Sequence, residues 1–178
     1  MSFPPQSFGK IKTDLVTTLA DLVTIKADLV TIKANLADIL EELAHPTYIF
    51  PEGSNETVTF TAGAVANAWS AWTEIADNNG ITLSSKFAAK EGHLSAINLE
   101  VLNTINNRYM IELAYGAAKT LISPLRFQAS IATIGLSTST DIRTSRIPAG
   151  EKVYHRTKCE TGAATVQLHF RYHFHNGA

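Results

Sequence analysis

Residues 14–34 read DLVTTLA, DLVTIKA, DLVTIKA, one heptad written three times and twice letter for letter. Apolar residues recurring every 3.5 positions line one seam of a helix that coils around copies of itself, so the repeat points to a helix with like partners, the alternative being a single amphipathic helix folded against its own domain. Leu15, Leu22, Leu29, Leu36 and Leu43 hold position a, and Ile25, Ile32 and Ile39 hold position d, with Thr18 in the first d place. These Leu and Ile residues are the predicted oligomerisation seam. Asp14, Asp21, Asp28, Asn35 and Glu42 fall at g, and Lys26 and Lys33 at e. Asp21 can therefore meet Lys26, and Asp28 Lys33, on a parallel neighbour. Such exposed pairs contribute about 0.2–1 kcal/mol each, enough to set orientation rather than stability. Leu at a with Ile at d favours three or four strands over two, and Leu19 and Leu40 at e widen the apolar stripe in the same sense. Val16, Val23 and Val30 at b cover the flank of a wider bundle or meet another protein. A helix over residues 11–44 would be roughly 50 Å long at ~1.5 Å per residue.

His45-Pro46 closes the helix, because proline cannot continue the hydrogen-bond ladder and restrains the residue before it. The texture then changes. Short apolar runs at 57–62, 71–76, 81–87, 94–102, 109–115, 121–127, 152–157 and 165–174 read as strands. Turn signals such as Pro51-Glu52-Gly53, Asn78-Asn79-Gly80 and Pro148-Ala149-Gly150 separate them. The stretch 62–68, AGAVANA, reads equally as a helical turn or a loop. Many short strands without convincing helices suggest a jelly-roll-like β-sandwich. The fold class expected is mainly β with an N-terminal α-helical coiled coil. The expected organisation is a docking peptide over 1–10, a stalk over 11–45 and a β-sandwich head over 46–178. In the last strand Val166, Leu168, Phe170, Tyr172 and Phe174 alternate with Gln167, His169, Arg171, His173 and His175, the mark of a half-buried strand.

Composition narrows the function classes. The chain has 178 residues, a formal charge of −1, a single cysteine and no long apolar run. A membrane-spanning helix needs about 20 such residues. The opening MSFPPQSFGK lacks the basic start and apolar core of a secretion signal, which makes the acceptor-like Asn55-Glu56-Thr57 a chance match. Cys159 alone cannot build an intrachain disulfide framework, and reads as a buried structural thiol. With no Lys/Arg cluster, nothing argues for nucleic acid.

Candidates for chemistry are sparse. His169, His173 and His175 share one strand face, and imidazole is a common metal ligand, but a solvated face or a head–head contact is the plainer reading. Glu74 and Asp77 near Trp72 form a carboxylate pair of the glycosidase kind, or a solvated rim. No GxSxG, GxxxxGK or HExxH motif is present. The reading is a non-enzyme with no cofactor and no metal. Trp69 and Trp72, three apart, belong on opposite faces of a strand. Exposed aromatics on the head could stack on sugars, and DIRTSR (141–146) could pair its arginines with carboxylates.

Two further segments carry a resemblance. YMIELAYGAAK (109–119), followed by RIPAGEKVYHR (146–156), resembles a pattern of tailed-bacteriophage virion proteins. In those, an EhxxGAA strand and turn precede an IPAGxxhxxR strand in a β-sandwich head. The matching residues are Glu112, Gly116, Ala117 and Ala118, then Ile147, Pro148, Ala149, Gly150 and Arg156. The resemblance implies a virion-surface protein made in the host cytoplasm, commonly trimeric, of the capsid-decoration or head-fibre type. The expectation is therefore a structural homotrimer, with a tetramer as the less favoured count. Phe3, Pro4, Pro5 and Phe8 would dock it on capsid or tail proteins, since prolines keep a segment extended and aromatics anchor in pockets. The alternative expectation is a carbohydrate- or receptor-binding head of a tail fibre, with a surface glycan as partner.

Overall fold

A computed structural model describes residues 5–44, 46–134, 139–142 and 144–175, which fall into two units, Met1–Ala44 and His45–Ala178. The first unit is one α-helix, α1 (Pro5–Ala44). It starts at Pro5 rather than near residue 11, so the extended conformation expected over 5–10 is corrected to helix. The reason is positional: a proline on the first helical residue loses an N–H that has no intrahelical partner anyway, and its fixed φ suits the helix. The end at Ala44, just before His45-Pro46, is where the sequence places it. Along α1, the hydroxyls of Thr13, Thr17, Thr18, Thr24 and Thr31 donate back to carbonyls one turn earlier. These threonines are thus satisfied within the helix.

Among its described residues the second unit has nine strands: β1 (Tyr48–Phe50), β2 (Val58–Thr61), β3 (Thr73–Glu74), β4 (Gly92–Leu102), β5 (Arg108–Tyr115), β6 (Thr120–Gln128), β7 (Ser139–Asp141), β8 (Val153–Cys159) and β9 (Thr165–Phe174). They form two antiparallel sheets. One runs β1-β9-β4-β7, with β2 also paired to β9; the other runs β3-β8-β5-β6. The inner residues of β8 and β9 alternate with outer ones as period two demands, Val153, His155, Thr157 and Cys159 buried on β8, and Val166, Leu168, Phe170 and Tyr172 on β9. Phe60, Phe87, Ile97, Leu102, Ile111, Leu113 and Phe170 complete a single core. Buried with it are the polar His155 and Thr157, and the His155 ring stacks on Phe60 of the other sheet at 3.5 Å between centroids. Burial pushes its imidazole down to about 3, so it sits in the core uncharged.

Three local expectations change. Residues 81–87 hold a 3-10 helix, Leu83–Phe87, rather than a strand, with the Thr82 hydroxyl accepting from the Ser85 N–H at the N-cap. Its buried residues, Leu83 and Phe87, are four apart, a spacing that puts both on one face in a helix and in a strand alike. The strand at 71–76 shrinks to Thr73–Glu74, and 62–68 is a loop closed by a turn in which Ala68 N–H donates to the Val65 carbonyl. The short strands β1 and β7 have no counterpart among the predicted runs. Three residues are too few to show a period, and both are held by a longer neighbour, β9 and β4 respectively.

Candidate functional site

On α1, the seam side chains Leu15, Leu22, Ile25, Leu29, Ile32, Leu36 and Ile39 all lie on the surface of the chain, more than half exposed. Leu43 is helical, but its side chain lies outside the described residues, as do Phe3 and Pro4 altogether and the side chain of Pro5. The early helix start carries the stripe further than the sequence reading did. Phe8 stands seven residues before Leu15 and Ile11 four before it, the next a and d places, and both are exposed. At d, Thr18 donates its hydroxyl to the Asp14 carbonyl at 2.8 Å, leaving its methyl free for the seam. No described helix is long and apolar enough to cross a membrane.

The three histidines expected to share a face part company. His169 lies between Glu100 and Asn98, with Nδ1 2.7 Å from the Glu100 carboxylate and Nε2 2.6 Å from the Asn98 amide nitrogen. The His169 ring thus bridges the Glu100 carboxylate and the Asn98 amide. His173 and His175 instead gather around His93 of β4, a residue the sequence reading missed. His93 and His173 are cross-strand partners, but only the β4–β9 register shows it. His93 Nδ1 is 2.7 Å from His175 Nε2, so these two nitrogens share a proton with each other. Among the described residues no group of histidines, cysteines and carboxylates is placed to hold a metal.

The carboxylates considered for acid–base work are held structurally. Asp77 accepts from the N–H groups of Asn79 and Ile81, closing the Asn78-Asn79-Gly80 turn. Glu74 pairs with Lys152 at 2.8 Å. Burial alone would raise the Glu74 carboxyl, but hydrogen bonds from Lys152 and Ser84 outweigh it and hold the group below its ordinary value. In the 141–146 stretch, Arg146 pairs with Glu91 at 3.0 Å, and Arg143 lies outside the described residues. Cys159 is buried, as expected.

Charge and aromatic surface concentrate on the outer face of the four-stranded sheet. Trp69 and Trp72 do not divide between core and surface: their segment is not a strand, and both indoles pack on one guanidinium, that of Arg156, at 4.7 Å each. Arg156 also donates through Nε and Nη2 to Glu112, its cross-strand partner on β5, at 2.6 Å. Lys158 lies over Trp69 at 4.7 Å, and Lys119 over Tyr154 at 3.2 Å. Next to this ladder is a cavity of about 260 Å³ lined by Asn67, Arg108, Met110, Arg126, Lys158, Cys159 and Glu160. Spacing could have hinted at part of it, since Arg156 and Lys158 are two apart on one strand face, but their meeting with Arg108 and Arg126 depends on strand order.

The two segments that carry the virion resemblance come together here. Glu112 and Arg156 are the ion pair just described. Gly116 N–H donates to the Lys152 carbonyl at 2.9 Å. Gly116 (φ 73°) and Gly150 (φ 78°) both occupy left-handed backbone, where a side chain is disfavoured. Both segments are thus turn-and-strand elements with a structural part to play. No protein-family model matches the chain, and no curated protein matches it.

Proposed function

We propose that this protein is a structural component of a tailed-bacteriophage virion. In this reading it is a homotrimer whose helices form a parallel coiled-coil stalk and whose β units are jelly-roll heads, held to capsid or tail proteins through the N-terminal segment. The observation that carries it is the stripe on α1: a 40-residue helix with apolar residues in heptad register, each 52–69% exposed from Phe8 to Ile39. A fully buried Leu or Ile side chain gains about 1.5–3 kcal/mol over an exposed one. Copies of the same seam, with Asp21 facing Lys26 and Asp28 facing Lys33, are the partners that this pattern specifies. The two antiparallel sheets, β1-β9-β4-β7 with β2 also on β9 and β3-β8-β5-β6, support a jelly-roll-like sandwich as the description of the head. The resemblance of 109–119 and 146–156 supports the virion. Leu at a with Ile at d suits three or four copies, and that resemblance favours three. Tethering three copies turns weak docking into strong attachment, as a decoration or fibre protein requires.

The test is native mass, for the full chain beside one starting at Thr47. Three copies that fall to one on truncation support the stalk as the trimerising element, and a monomeric full chain would sink the reading. For attachment, deletion of residues 1–10 should release the protein from purified particles. A second reading, a carbohydrate- or receptor-binding head, is favoured by the cationic cavity beside the tryptophan–arginine ladder. Saturable binding of the full chain on a glycan array is its test.

A further inference from the structure

The cavity on the four-stranded sheet has a chemistry that narrows its ligand. Met110 forms its floor, and the residues opposite Met110 in register are Arg126 on β6 and Lys158 on β8. Two cations thus flank one apolar side chain from the strands on either side, whose backbones are about 10 Å apart at ~4.8 Å per strand. The third cation, Arg108, is matched: its backbone N–H donates to Glu160 at 2.9 Å, and its guanidinium lies 3.6 Å from the same carboxylate. Arg126 and Lys158 have no carboxylate partner among the described residues. Arg126 also borders a neighbouring cavity that contains Asp141, without an ion pair to it. Lys158 is steadied over Trp69 rather than neutralised. The pocket therefore carries two uncompensated positive charges in a chain whose net charge is −1.

We propose that this pocket binds a single acidic sugar unit, with its carboxylate between Arg126 and Lys158; the inference rests on the carbohydrate-binding reading of the head. Three features select that class. A guanidinium and an ammonium lining one cavity, on the strands either side of Met110, suit a single oxyanion charge-assisted by both. A polyanion needs a track of unpaired cations, whereas the neighbouring Arg108 and Arg156 are already paired with Glu160 and Glu112. At about 260 Å³ the space falls below the range of drug-sized ligand sites and suits one ring. Glu160 supplies the discrimination. Glu160 lines the cavity while accepting from the Arg108 N–H, and its carboxylate repels a second negative charge while retaining acceptor capacity for hydroxyl donors. Asn67, at φ 62° on the rim, adds an amide, its backbone fixed by donation to the Cys159 carbonyl at 2.7 Å. A hydroxylated monoanion satisfies all of these groups together.

The experiment is titration of the full-length chain with glucuronic acid, N-acetylneuraminic acid, glucose and inorganic phosphate, followed by NMR or calorimetry, alongside the glycan array. Expected is saturable binding of at least one of the two acidic sugars, weakening as salt rises, with glucose at least about tenfold weaker. R126A and K158A should each lower that affinity about tenfold or more, and R126K should restore part of it. Thermal midpoints should stay close to that of the wild type, since both residues lie on the outer face. Phosphate binding as tightly as the sugars would reduce the pocket to a bare anion site and overturn the proposal. Array binding to neutral glycans only, untouched by R126A, would overturn the acidic-sugar assignment while leaving the carbohydrate reading standing. No binding to any sugar or glycan would remove both.

Discussion

The helix and the β unit use the same apolar residues to opposite ends. In the β unit Leu94, Ile97, Ile111 and Val166 are fully buried, each closing against the facing sheet. In α1 Leu22, Ile25, Leu29 and Ile32 are more than half exposed, because one helix has nothing of its own to close against. Hydrophobic content is therefore no guide to burial here; its period is. Period two within a unit that can fold back on itself makes a core, while period 3.5 on a lone helix makes an interface. One unit completes its packing within the chain, and in the proposed trimer the other is completed by copies.

The sharpest way to break that contrast is L22D with L29D. Charges at two successive a positions should dissociate the assembly to monomers and strip most of the helical signal, since a helix without its packing partners is marginal in water. The thermal transition of the β unit should barely move. Native mass and circular dichroism check both halves, and a β unit that melted with the helix would undo the division. Conversely, F60A should cost the β unit about 3–5 kcal/mol, read by denaturant titration, without changing the number of copies. His155 sharpens the comparison through pH. Its folded-state value of about 3 lies below the ordinary 6.5, so between these limits the unfolded chain binds the extra proton. Stability is fully present above pH 6.5 and falls as acid is added, by about 3 kcal/mol at pH 4. H155F keeps a ring against Phe60 and removes the titration, so its β unit should lose less stability between pH 7 and 4. An identical slope in both proteins would refute the assignment. The smallest effect is expected from E112Q. Loss of the partly exposed Glu112–Arg156 pair should cost about 1 kcal/mol and shift tryptophan emission as the guanidinium between Trp69 and Trp72 loosens.

Legibility followed the same divide. The strand β9 could be read from ten residues because its alternation is long and one-sided, and α1 because its repeat is nearly verbatim. Leu83–Phe87 was misread as a strand because a short apolar run has no resolvable period. Trp69 and Trp72 were assigned opposite faces on the assumption of strand geometry. They pack on one guanidinium because their segment lies outside the strands and runs along the edge of β8, where Ser70 N–H donates to the Thr157 carbonyl and Asn67 N–H to that of Cys159. The candidate sugar site was illegible as a whole, since Arg108, Arg126 and Lys158 sit on three different strands, and His93 likewise joins His173 and His175 only through pairing.

By itself, the sequence determined the helix, its heptad seam, the break at His45-Pro46 and the in–out pattern of the longer strands. These are local properties, fixed by periodicity and backbone chemistry within a few residues. Strand order, the stacking of His155 on Phe60, the tryptophan–arginine ladder and the convergence of cations around Met110 were decided only by the tertiary structure. Each depends on which strands become neighbours, and that choice is made by the closing of one core from residues far apart in the chain.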